Sequence, residues 1–516
     1  MQTTRYKLLG CPTVSQKARS GARSFNPENA ASRDIPLRGL LRRRSGLHFP
    51  PRVGRAFGRS AAPNPSISLV ASLAILALVA AWLATVVRWH SGSIAVDQSH
   101  TTTIYSFMAE DSRTDRILRL FALSLFVLAG LLGALESRRP RLPGLVVFLL
   151  VTMILYCAFW CLVSYQPSEY WPGLIQTTSP LIFTMCLGVY AGFDPTLWPK
   201  LRPLALAIAY GSAALGAYYT VRLTVADVFS GPTPMVEHLQ IALWFSLCAL
   251  ALHKSSRWRD CVPALIPLAA CIPMAIIASR RSFSLLAVFG LATGLMIPLQ
   301  RHLRLVAVRV LALGLLSALV FGVGWWLLSV AVPDRVEVFK GRLLEDTRSG
   351  QYSKFFQQVP VTSLITGLGP KATYTLNDRA NYDYIDNQFL FILFKFGLPV
   401  LLGYCAVVIW PGLRLLIGAG SQQQRQLGVL FAFWTLATLG VSIFHAITVN
   451  PQNLAVVLFA GRAFALAKAT RKPPLSLRRN SQPVRSQAIL QTMSGTQFAQ
   501  HEGTASRPQP PLQTAP

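Results

Sequence analysis

The sequence predicts an all-α polytopic membrane protein with about twelve transmembrane helices and one long extramembrane loop late in the chain. Three observations carry that expectation. Of 516 residues, 52% are hydrophobic and 13% charged, about half the charged fraction usual for soluble domains. The mean hydropathy is +0.42. The apolar residues also fall in runs of roughly 20, the length at which a rise of about 1.5 Å per residue crosses a hydrocarbon core about 30 Å thick.

Taken in order, residues 1–65 are rich in Arg, Ser and Pro and poor in acids, and read as a disordered basic cytoplasmic tail. Organelle transit peptides share that composition, but a basic segment directly before the first span also fixes that span's orientation. The string Leu8-Leu9-Gly10-Cys11 faintly resembles a lipoprotein cleavage site, yet no apolar stretch precedes it. Residues 66–332 hold nine spans, near 66–87, 117–135, 145–164, 174–193, 204–221, 236–253, 262–279, 283–299 and 305–331. The loop occupies 333–387, and three more spans follow near 388–410, 426–446 and 453–468. The remainder to 516 is rich in Gln, Pro and Ser and reads as a second disordered cytoplasmic tail.

The net charge of +29 suggests nucleic acid only until the arginines are placed. They cluster in the tails and in alternate short loops, as a cytoplasmic membrane face requires. Those loops are Arg138-Arg139-Pro140-Arg141, Lys200 to Arg202, Lys254 to Arg259, Arg301 to Arg304 and Arg414 to Arg425, whereas Gln166 to Pro172 and Thr448 to Asn453 carry no Lys or Arg. An even number of spans then puts both termini on the cytoplasmic side. Nucleic acid is accordingly not an expected partner. Cys157 and Cys161 share a helix face, but without a His or acid beside them they read as packing residues and no metal site is expected.

Two features break the charge rule on the outer side: the turn Ser279-Arg280-Arg281-Ser282, and the loop from Pro333 to Asn387. At the turn, Ser282 can cap the next helix, whose free N–H groups and dipole favour an anion, and arginine grips phosphate bidentately. The alternative is a miscounted span and an ordinary cytoplasmic turn. In the loop, Phe339, Tyr352, Phe355, Phe356, Tyr374, Tyr382 and Tyr384 are interleaved with nearly balanced charges, a pattern that suits sugar rings and also suits any solvated loop. Asp386 and Asn387 precede an apolar run, so either can cap a helix, while a carboxylate there can also take a proton from an attacking hydroxyl. Lys395 and His445 lie within or near the ends of spans, where ionisable groups are functional candidates or snorkel and pair. For Arg119, Arg309 and Arg462, near helix ends, snorkelling is the expected behaviour.

The order of these features resembles the O-antigen ligase and polysaccharide polymerase family of bacterial inner membranes. The matching strings are Ala278-Ser279-Arg280-Arg281-Ser282-Phe283-Ser284-Leu285-Leu286, then Arg342 to Arg348, Ile365-Thr366-Gly367-Leu368-Gly369-Pro370, and Ile385-Asp386-Asn387-Gln388-Phe389-Leu390 with Phe396-Gly397-Leu398 after it. The resemblance implies a glycosyltransferase of the inner membrane. It acts on polyprenol-diphosphate-linked oligosaccharides at the periplasmic face, without a nucleotide sugar or obligatory metal, and no cofactor is expected.

By that resemblance Arg280 meets the donor diphosphate, with Arg281 beside it and Arg348 as the loop arginine. Gly367 and Gly369 permit the backbone turn over the site, and Arg342, Asn387 and His445 complete the substrate-binding set. The family's histidine before the asparagine is Asp386 here, and its acidic residue in the following helix is replaced by Lys395. Both departures favour a polymerase of exopolysaccharide, capsule or O-antigen units, with Asp386 or His445 as base, over a ligase acting on a lipid or protein acceptor, and they also leave room for an inactive relative. A transporter or flippase of lipid-linked sugars is the reading from another class. A chain-length regulator and a flippase are the implied protein partners, beside membrane lipid.

Overall fold

The computed structural model describes residues 68–469 apart from internal stretches, the longest being 168–179, 226–233 and 441–448. The expected tails lie outside the described residues. What is described is an all-α membrane protein with two small β-hairpins. Among the described residues, eight helical stretches are long and apolar enough to cross a membrane, the last being Gln388–Ile417 taken as one, while the apolar part of the helix after Arg280, Ser282–Met296, is shorter.

Helix α1 spans Leu69–His90, α2 Arg113–Leu135, α3 Gly144–Ser164, α5 Leu197–Val225, α6 Pro234–Ala251, α7 Trp258–Ile277, α8 Arg281–Leu299 and α9 Val306–Ala331. Between α1 and α2 a hairpin pairs β1 (Ser93–Asp97) with β2 (Ile104–Met108), which the hydropathy pattern did not foretell. Element α4 is Pro180–Val189 with Ala191–Phe193, and it is a 3₁₀ helix where an α-helical span was expected. It crosses α16 (Pro451–Ala469) at backbone contact, since a methyl on Gly192 would meet the Leu458 carbonyl oxygen at 2.1 Å. Small residues permit that approach, and in lipid such packing replaces the hydrophobic drive.

The expected long loop is a folded cap. It holds α10 (Pro333–Leu344), α11 (Thr347–Gln358), α12 (Ser363–Thr366) and a hairpin of β3 (Tyr374–Leu376) with β4 (Arg379–Tyr382). The aromatics read from the sequence as sugar platforms mostly form its core: Phe355 and Tyr374 are buried with Val359, Leu364, Ile385 and Phe394, and Phe339 is buried against the bundle. Edge-to-face contacts of Phe355 with Tyr374 and Phe394, centroids 5.3 and 5.2 Å apart, lock that core. Phe356, next to Phe355 in the sequence, is exposed instead.

The span expected at 388–410 is not one helix. Residues Gln388–Tyr404 (α13) contain a break at Gly397, at φ 81° and ψ −179°. The chain then widens through a π-turn at Cys405–Ile409 into α14, Trp410–Ile417. A straight helix would place residues 388 and 404 about 24 Å apart; instead the Gln388 amide lies 3.3 Å from the Tyr404 hydroxyl. The first nine residues of α13 therefore fold back, with Leu390, Leu393 and Phe394 on the cap core and Phe391, Ile392 and Phe396 on the bundle core. Helix α15 runs Gln422–Gly440 and α16 completes the bundle.

Candidate functional site

The positions of helix ends decide which candidates can meet. Gly324 in the last third of α9 lies against Ile272 in the last third of α7, so these two helices finish at the same end. The first two thirds of α15, through Gln426, Val429, Leu430 and Phe433, line a cleft with Leu250 and Ala251 of α6 and Thr293 of α8. The far end of α15 therefore lies where α8 starts. Asn387 ties the start of α13 to that end, its Nδ2 donating to the Leu439 carbonyl at 3.0 Å. One end of the bundle thus gathers the ends of α7, α9 and α15 and the starts of α8 and α13.

Arg280 sits at that end in a very short turn. Its N–H donates to the Ala275 carbonyl at 2.8 Å, satisfying one of the carbonyls left open at the end of α7. Its own carbonyl accepts from Phe283 and Ser284 at 3.0 and 3.1 Å, opening α8. Arg280 is therefore the N-cap residue, and Ser282, expected in that role, is inside the first turn. The Arg280 side chain is half-buried. Arg281 is the first residue of α8, so the two arginines are adjacent in the chain at a helix N-terminus whose N–H groups favour an anion.

The other two arginines lie on helices, not in irregular loop. Arg342 is in α10, which packs against α7, α8 and α9, the helices around the Arg280 turn. Arg348 is in the first turn of α11. Asp386 and His445 lie outside the described residues. Asn387 is the N-cap of α13, its side chain accepting from Leu390 N–H at 3.0 Å, so the capping role read from the sequence is present.

Gly367 and Gly369 have φ of 78° and 94°, the left-handed region that only glycine enters freely. Their strap is stitched to the broken helix. Leu368 N–H donates to Phe394 O and Gly369 N–H to Lys395 O, both at 2.9 Å, meeting carbonyls that the break at Gly397 leaves open. A methyl on Gly367 would meet Gly397 N at 2.6 Å. The Tyr156 hydroxyl of α3 donates to Thr366 O at 2.8 Å and pins the strap to the bundle.

Lys395 neither snorkels nor faces a pore. It is fully buried, and its Nζ donates to Pro370 O at 3.0 Å and Ala372 O at 2.6 Å. It also sits over the rings of Phe391 and Phe394. Arg119, expected to snorkel, is instead buried and donates to Asp115 at 2.8 Å one turn earlier on α2. Arg462 lies over the Trp198 ring, 5.5 Å from its centroid, and the side chain of Arg309 is outside the described residues.

Sequence reading missed the break and its clamp. The signal was present in Phe396-Gly397-Leu398-Pro399: a Gly followed two residues later by a Pro inside an apolar run marks an interruption. It also missed a buried polar ladder, in which Trp434 Nε1 of α15 donates to the Tyr404 hydroxyl at 3.2 Å and Gln388 reaches the same oxygen. Among the described residues, no group of three His, Cys, Asp or Glu could hold a metal ion. Comparison with protein-family models, characterised proteins and solved structures finds no match to this chain.

Proposed function

We propose that this membrane protein is a glycosyltransferase that joins polyprenol-diphosphate-linked oligosaccharide repeat units into a longer polysaccharide at the outer face of a bacterial inner membrane. The reading includes twelve spans with both termini in the cytoplasm, so that the gathered end of the bundle faces the periplasm. One observation carries it. The Arg280 turn, the helix bearing Arg342, the glycine strap and the Asn387 cap all belong to one end, under a folded cap, rather than being strung through the bundle as a transport path would require.

The chemistry is a substitution at an anomeric carbon. A hydroxyl oxygen of the incoming unit attacks that carbon, its proton passes to the Asp386 carboxylate, and the bond from carbon to the diphosphate oxygen breaks. The departing lipid diphosphate takes the electron pair. Arg280 and the N–H groups opening α8 neutralise the charge that develops there, an interaction stronger in the transition state than before it. Arg281, Arg342 and Arg348 hold the remaining phosphate or sugar oxygens.

The test is incubation of the purified protein with lipid-linked repeat units, with product length as readout. Arg280→Ala and Asp386→Ala are expected to leave single units on the lipid, each lowering turnover by at least about 100-fold. Long chains made at the normal rate by either variant would overturn its assigned role.

A further inference from the structure

Gln388 is the first helical residue after the Asn387 cap, and its side chain is turned inward, only 3% exposed. One end of its amide reaches Tyr404, whose hydroxyl also takes the indole N–H of Trp434. The other end, Oε1, is buried and meets no partner among the described residues. Turning the amide over changes which atom is left unmet but not the count, since the Tyr404 contact occupies one end either way. In the interior of a membrane protein an unmet amide is costly, because neither water nor lipid supplies the missing bond. Tyr404 comes within reach only because the break at Gly397 folds α13 back, so the fold holds Gln388 in this position.

The site is a helix start: Asn387 spends its side chain on the Leu390 N–H and on α15, and the nine residues to Phe396 form a separate short helix. A ligand group that both donates and accepts meets the amide in either orientation. A hydroxyl does this, whereas a phosphate oxygen only accepts.

We infer that Gln388 is a sugar-binding residue, its free amide end hydrogen-bonding a hydroxyl of the oligosaccharide bound at the start of α13, with the Trp434–Tyr404 ladder as the fixed support behind it. The inference rests on the proposed function and names the group that recognises the sugar rather than the diphosphate. It also explains the orphaned atom as a stability cost carried for binding.

The test uses the full-length protein in detergent and two probes: repeat-unit oligosaccharide released from its lipid by mild acid, and the intact lipid-linked unit, both from the source organism. Calorimetric titration with the released sugar measures binding without turnover. Gln388→Leu is expected to weaken it at least tenfold while leaving the melting temperature unchanged or higher; Gln388→Glu retains an acceptor and is expected to stay within threefold. Tyr404→Phe, which frees the amide from its support, is expected to weaken binding by an intermediate factor. Equal sugar affinity for Gln388→Leu and wild type overturns the inference, as does a wild type that binds no released sugar. A Gln388→Leu protein that melts lower with unaltered sugar affinity makes Gln388 purely structural. Failure of the wild type to extend the intact lipid-linked unit, with Gln388-dependent sugar binding preserved, rejects the polymerase reading alone.

Discussion

A methyl group placed on Gly367 or Gly397 collides with backbone, not with a side chain that could swing away. The nearest atoms are at 2.6 and 2.5 Å, and both residues sit at positive φ. Conformational strain of about 1–3 kcal/mol adds to overlap of similar size, so Gly367→Ala and Gly397→Ala are each expected to destabilise by about 2–5 kcal/mol. A clear drop in the melting temperature of the detergent-purified protein checks this; unchanged melting would mean that the strap and the broken helix do not touch. Lys395 makes a second case at the same scale. Lys395→Met keeps the stem but leaves the Pro370 and Ala372 carbonyls without their donor, a loss of about 1–3 kcal/mol for each buried group left unmet. Protease cleavage between 366 and 376 is expected to quicken severalfold, and an unaltered cleavage rate would remove the clamp from the account.

At the scale of elements, the cap stands on its own core. Phe355 is fully buried between Tyr374 and Phe394, so Phe355→Ala is expected to cost about 3–5 kcal/mol. Its neighbour Phe356 is 47% exposed, and Phe356→Ala is expected to stay within about 0.5 kcal/mol. Thermal unfolding of the pair checks the contrast, and equal losses would deny the cap a distinct interior. These elements also mark how far the sequence could be read. The apolar runs were legible because lipid forces every spanning backbone to satisfy itself as helix, so length and hydropathy suffice. The cap was not, because its aromatics alternate with charges at no sustained period, and exposed and buried rings look alike in one dimension. Lys395 was legible as unusual but not as a clamp, since its two acceptors come from a strap more than twenty residues earlier. Asn387 could be read correctly because a cap is a local bond, three residues long. The fold-back at Gly397 was hidden for the opposite reason: on either side of it the residues are apolar, and composition does not record direction.

For the whole molecule, the decisive question is which side of the membrane receives the gathered end. Ser282, in the first turn of α8, reports on it. A single cysteine at Ser282 is expected to react with a membrane-impermeant thiol reagent in intact cells whose outer barrier has been opened. Protection there, with labelling only after the membrane holding the protein is breached, would invert the proposed topology and withdraw the proposed diphosphate role of Arg280. The same orientation would also have to reassign the basic loops, so the measurement bears on every span at once.

Helix α9 is held on one side only. Leu311, Leu315, Leu319, Val323 and Trp326 stand uncovered along it, and added methyls at Gly314 and Gly322 would meet nothing within 4 Å. Its remaining contacts run to α7, α8 and, through Trp325 and Phe339, the cap helix α10. This surface is a boundary with solvent of a particular kind, so drift along it is limited by greasiness and not by shape. A scrambled assortment of Leu, Ile, Val and Phe at those outward positions should therefore yield the same protein, whereas one lysine at Leu319 should not insert.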